Sequence, residues 1–175
     1  MSILTTVANL MALAARTAPK SRGQDFIITS IVEGEILQRL AEKMIEIGER
    51  TGRKFFIRDA KNVTASEVVL LIGIKDAQKA NLNCSACGVP ACNDLNVNSY
   101  SGEFSGPQCV FRVMDLGIAV GSAVKMASVL NADNRVMYTV GTAARTLGLL
   151  DADLAVGIPL SATGKSIYFD RPPVG

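Results

Sequence analysis

Apolar residues recur at helical spacing from the start of the chain. Ile3, Val7, Leu10 and Ala14 share one face and predict a first helix that ends near Pro19. Lys20 to Gln24 is a polar loop, and the short β-branched run from Asp25 to Ile31 predicts a strand. From Gly34 to Glu49, Ile36, Leu37, Leu40, Met44 and Ile47 form a stripe with i, i+3/i+4 spacing, opposed by Glu35, Arg39, Glu42, Lys43 and Glu46. Gly52 ends that helix, and Phe55 to Ile57 is expected to begin another short strand. Val68 to Ile74 is apolar without alternation, the pattern of a strand covered on both faces.

Between Asp76 and Pro107 the periodicity disappears, and asparagine, serine, glycine and cysteine concentrate. A loop of that length in a compact domain is either functional or held by a ligand. Order returns at Phe111. Asp115 to Leu130 is apolar almost all round and predicts a central buried helix, with Gly117 and Gly121 four apart for close approach to a neighbour or a second copy. Arg135 to Val140 is expected as a strand, Thr142 to Leu149 as a short helix, Leu154 to Ile158 as a strand, and Ile167 to Phe169 as a terminal strand or arm. These elements make one α+β or α/β domain over residues 1–175, with a cysteine loop inserted at 81–110.

Cys84, Cys87, Cys92 and Cys109 are the only cysteines, spaced C-x2-C-x4-C-x16-C. Three thiolates within nine residues wrap a small inorganic core, and the fourth closes the cage from the far side. Gly88 and Gly106 allow turns beside the sulfurs, and Pro90 and Pro107 stiffen the approaches to Cys92 and Cys109. Leu82, Val89, Val97 and Phe104 are candidates for an apolar shell. A zinc site would more commonly use two C-x2-C pairs. Two disulfides in any of three pairings, or four free structural thiols, are the remaining alternatives. Spacing and compartment favour a [4Fe–4S] cluster over zinc, and count alone leaves [2Fe–2S] open.

Composition changes this picture only by exclusion. Hydrophobic residues make up 49% and charged residues 19%, as for a packed globule rather than a disordered chain. The absence of histidine removes Ser-His and Cys-His nucleophiles, Rieske centres and HExxH zinc sites. Net charge is +2 with no basic run among aromatics, so nucleic acid is not an expected partner. The apolar stretch from Ser2 to Ala15 has no basic residue ahead of it, and Val68 to Ile74 is too short for a bilayer, so a cytoplasmic location is expected. Gly164-Lys165-Ser166 ends like a phosphate-binding loop, but its nearest upstream glycine, Gly157, leaves six intervening residues where four are needed. Tyr138 and Tyr168 read as packing residues with satisfied hydroxyls, and Asp133, Asp151 and Asp153 as caps.

Cys84-Ser85-Ala86-Cys87-Gly88-Val89-Pro90-Ala91-Cys92 resembles the C-G-x-C-G-x-x-x-C cluster module of corrinoid iron–sulfur proteins and of Rnf-type electron-transport subunits, departing at Ser85. Nearly end to end, the chain resembles an uncharacterised prokaryotic family of proteins containing a ferredoxin domain. The segments Ala14–Lys20, Asp115–Ala123 and Gly157–Lys165 carry that resemblance together with the cysteines. The chain also looks like a shortened FMN-dependent nitroreductase: Ala18-Pro19-Lys20-Ser21 follows the first helix, Asp115–Leu130 matches the central helix, and Gly157-Ile158-Pro159 matches a strand end. This second resemblance implies a nitroreductase-like three-layer α+β sandwich, an intertwined homodimer, and FMN at the subunit interface. The family's arginine-rich phosphate grip is not matched, since Met1 to Asn9 contains no arginine. Arg16, Lys20, Ser21, Arg22, Lys165 and Arg171 remain as candidates for a flavin phosphate, against the plain reading of the charged ones as solvated surface residues.

Two functions follow as expectations. In one, a cluster feeds electrons to FMN, which reduces a small molecule. In the other, the chain is a ferredoxin-like carrier for a redox partner protein, without flavin or catalysis of its own. A zinc-stapled interaction domain is the third.

Overall fold

The computed structural model describes residues 2–169, so Arg171 lies outside the described residues. Ser2 caps helix α1 (Ile3–Thr17), its Oγ accepting from the Thr5 N–H at 3.1 Å. At the other end the Lys20 ammonium donates to the Ala15 carbonyl at 2.9 Å and to that of Arg16, satisfying carbonyls the helix leaves open. Strand β1 (Ile27–Glu33) follows, then α2 (Glu35–Thr51), which stops at Gly52 in the left-handed region (φ 71°).

Residues Lys54–Thr64 form helix α3, correcting the strand expected at Phe55 to Ile57. Three apolar residues fit either period; over eleven, Phe56, Ala60 and Val63 recur at i, i+4, i+7 and are all buried. Strand β2 (Val68–Ile74) is buried throughout, as expected. Two two-residue strands, β3 (Tyr100–Ser101) and β4 (Ser105–Gly106), form a small hairpin before α4 (Val110–Val129). The strand expected at Arg135 to Val140 is also corrected. Only β5 (Asp133–Asn134) and a bridge from Met137 to Gly157 are extended, and α5 (Tyr138–Thr146) begins at once. There Thr139 to Ala144 are all buried, a run that packs the helix on every side and outweighs the β-propensity of Tyr138 and Val140. The helix expected at Thr142 to Leu149 thus starts four residues earlier and ends three residues earlier. Strand β6 (Leu154–Ser161) closes the sheet, and Ile167 to Phe169 is a turn instead of a strand.

The sheet runs β1-β2-β6-β5 with every pair antiparallel. Alternation along β2 divides the interior in two. Val68, Leu70, Ile72 and Ile74 pack with α1 and α4, while Val69 and Leu71 pack with α2, α3 and α5. Helices therefore cover both faces, giving the expected three-layer sandwich. Helix α4 buries Leu116, Ala119, Ala123 and Ala127 but exposes Met114 (52%) and Ile118 (42%), so within one chain it is buried on one side only. Gly117 and Gly121 face open space: nothing in the chain lies within 4 Å of a Cβ placed at either. Among the described residues no helix is long and apolar enough to cross a membrane.

Candidate functional site

The cysteine segment leaves β2 at Ile74 and returns to regular structure at α4. Its backbone passes through the left-handed region at Asp76, Asn81, Asn83, Ser85, Gly88 and Asn98. Asparagine, aspartate and glycine tolerate that region best, which explains much of the segment's composition. Ala80, Leu95 and Cys109 form a small apolar nucleus, with Cys87, Val89, Val97 and Phe111 packed around it.

All four cysteines are free and line one pocket; Leu82, Val89, Leu95 and Phe111 supply apolar wall. Cys84 is exposed, Cys87 and Cys92 half-buried, and Cys109 buried. Two sulfurs accept backbone hydrogen bonds: Asn83 N–H to Cys92 Sγ at 3.3 Å, and Val110 N–H to Cys87 Sγ at 3.2 Å. The Asn83 side chain returns the contact, accepting from the Cys92 N–H at 2.9 Å. Cys109 is the N-cap of the 20-residue α4. Burial opposes its ionisation, yet N–H groups of Ala80, Phe111 and Arg112 and the Cys87 thiol hold it below the ordinary thiol value.

Four unpaired thiols, amide donors aimed at sulfur and an apolar wall fit a four-thiolate cofactor. As the side chains stand, no group of three or more Cys, Asp or Glu among the described residues is already arranged to hold a metal ion. The shared feature is the pocket.

Of the flavin candidates, Arg16, Lys20, Ser21 and Arg22 lie together at the C-terminal end of α1. Arg16 pairs with Asp25 at 2.7 Å and donates to the Ile27 carbonyl. Burial works against ionisation of Asp25, but Arg16, the Ile27 N–H and Lys20 together keep its carboxyl below the ordinary range. The Lys20 side chain is 6% exposed and occupied with helix carbonyls. Arg22 donates to the Ala80 carbonyl at 2.8 Å, joining this loop to the cysteine pocket. Lys165 lies elsewhere. It follows Thr163, which lines a depression with Leu4 at the opposite end of α1, roughly 18 Å from Arg16 by helical rise. A single chain does not gather all five.

Composition and spacing gave no sign of two anchors. Arg112 is fully buried and donates to Gln78 O (2.7 Å), Ser21 O (3.0 Å), Asp115 Oδ2 (3.0 Å) and the Gln24 side chain, while stacking on Phe26. Asp153 is buried and accepts from the Asp76 N–H and from Asn98. Of the aspartates expected as caps, Asp153 is thus an anchor of the cysteine segment. Tyr168 is buried with its hydroxyl on Ser66 at 2.8 Å, as expected, and the Tyr138 hydroxyl bonds to Arg53 and Glu103.

A family model described as "Uncharacterized protein containing a ferredoxin domain" matches residues 105–171, a span that includes Cys109. An uncharacterized protein of Archaeoglobus fulgidus is 51% identical over 167 residues, covering 95% of this chain and 90% of its own length. Among solved structures, an oxidoreductase containing FMN aligns with a TM-score of 0.59 at 15% identity, over 94% of this chain and 69% of that one. The FMN-dependent nitroreductase NfnB from Mycobacterium smegmatis, in complex with NADPH, aligns with a TM-score of 0.61 at 12% identity, over 100% and 86%. At such identities these likenesses establish the shared fold.

Proposed function

The chain belongs to the family of uncharacterized proteins containing a ferredoxin domain, and on that premise we propose that it is an iron–sulfur redox protein. Cys84, Cys87, Cys92 and Cys109 would hold a [4Fe–4S] cluster. The observation that carries this reading is the convergence of all four unpaired cysteines on one pocket. A cluster supplies one-electron transfer; the chain supplies the rest. Asn83 and Val110 donate to sulfur, and the apolar wall limits water, both of which tune a reduction potential. Four free thiols accord with a reducing, intracellular location.

Two versions of this function differ in whether FMN is bound. The fold favours an oxidoreductase in which Arg16 and Arg22, both exposed, meet a flavin phosphate beside the pocket, and electrons pass through the flavin to a small molecule. The commitment of Lys20 to the α1 carbonyls and of Arg16 to Asp25 favours the simpler carrier, which exchanges electrons with a partner protein. A zinc-stapled interaction domain is the competing use of the same thiols. Visible absorption of protein purified without oxygen separates these. Flavin bands beside a broad cluster absorption support the enzyme, the broad absorption alone supports the carrier, and a colourless protein sinks both.

The exposed apolar side of α4 supports a homodimer. Val113, Met114 and Ile118 flank the open surface at Gly117 and Gly121, a face suited to a second copy of the chain.

A further inference from the structure

We propose that Arg112 is a positioning residue that fixes the fourth cysteine against the first three and sets the charge beneath the pocket; this rests on the iron–sulfur reading above. Arg112 stands three residues after Cys109, on the first turn of α4, and its N–H donates to the Cys109 carbonyl at 2.9 Å. Positions three apart on a helix are neighbours, so its side chain leaves the same face that presents Cys109.

From there the guanidinium reaches two other segments. Nε takes the Gln78 carbonyl, on the chain that leads to Cys84, Cys87 and Cys92. The two terminal nitrogens take the Ser21 carbonyl and the Gln24 side chain. Asp115 holds the fork from one turn further along and accepts the Ser21 N–H at 2.7 Å. Arg22 of that same loop bonds Ala80, which lies against Cys109 in the apolar nucleus. Burying a guanidinium completely is costly unless it is paired and hydrogen-bonded; here Asp115 pairs with it and each of its three nitrogens donates. The arrangement ties the base of the cysteine segment, the 20–24 loop and the helix carrying Cys109 into one joint.

This joint has two consequences. Without the fork, Cys109 and the other three cysteines lose their fixed separation, and a bound cluster escapes more readily. Without the positive charge, the more negative reduced state of the cluster is less stabilised, and its potential falls.

The test uses full-length protein, anaerobically reconstituted with ferrous iron and sulfide, as wild type, Arg112→Met, Arg112→Lys and Asp115→Asn. Iron release to a chelator and the midpoint potential are followed, with circular dichroism to establish folding. Arg112→Met should release iron about tenfold to a hundredfold faster, the usual range for a lost supporting contact, and at a lower potential. Arg112→Lys should also release faster but hold a potential near wild type, since it keeps the charge and loses the fork. Asp115→Asn should release faster than wild type. If Arg112→Met fails to fold, wild-type release by both Arg112→Lys and Asp115→Asn overturns the inference. Wild-type release and potential in a folded Arg112→Met also overturn it, with the cluster reading intact. A wild-type protein that takes up no iron overturns both.

Discussion

Asp153 accepts a hydrogen bond from the Asn98 side chain at 3.1 Å, across 55 residues of sequence. The same carboxylate oxygen takes the Asp76 N–H at 2.7 Å. One buried acid, next to the start of β6, therefore holds both the first residue of the irregular segment and a point near its end. Asp153→Ala leaves those donors without their acceptor and should cost about 1–3 kcal/mol. The damage should be local: limited proteolysis is expected to cut between residues 76 and 107 faster than in wild type, while the sandwich survives.

Two glycines should respond in opposite ways to the same substitution. A Cβ at Gly141 would lie 2.0 Å from the Ala155 carbonyl oxygen, a backbone atom of β6 that cannot move aside. Gly141→Ala should destabilise by about 3 kcal/mol in chemical denaturation. A Cβ at Gly121 meets nothing within 4 Å. In a monomeric background, Gly121→Ala should gain about 0.5–1 kcal/mol from helix propensity.

Ile118 and Met114 test the proposed homodimer. A carboxylate at the centre of an apolar interface between copies is desolvated without a partner, whereas on a free surface it costs little. Ile118→Glu is expected to convert a dimer into a monomer by sedimentation, with unchanged circular dichroism. A wild-type protein that sediments as a monomer at high concentration contradicts the proposed assembly.

Burial raises the Tyr168 hydroxyl well above its ordinary value of 10.0; the Ser66 hydrogen bond opposes this and Asp133 adds to it. The folded state therefore keeps a proton that the unfolded state loses. Stability from this group is complete below about pH 10 and declines as pH rises beyond it. Tyr168→Phe should cost about 1 kcal/mol at neutral pH, through the lost hydrogen bond. That deficit should shrink above pH 10, as read from denaturation midpoints across the range.

Long periodic elements were legible in the sequence because their burial is one-dimensional. The α2 stripe and the unbroken β2 run each report directly which faces are covered. At Phe55–Ile57 and Arg135–Val140 the reading failed because a few β-branched or aromatic residues fit either period, and only the longer pattern of buried positions decides. The apolar composition of α4 predicted burial all round, but half of that surface is open within one chain. The cysteine spacing was plain. What positions the cysteines was not: Arg112, Asp115, Asn98 and Asp153 are ordinary polar residues whose importance comes from contacts that span 34 to 94 residues of chain.

The most direct test of the redox reading is metal and sulfide analysis of full-length protein isolated without oxygen, alongside variants replacing each cysteine by serine. The proposed cluster predicts about four iron and four sulfide per chain, with the count falling when Cys84, Cys87, Cys92 or Cys109 is replaced. About one zinc per chain and no iron, with all four thiols reduced, would contradict it.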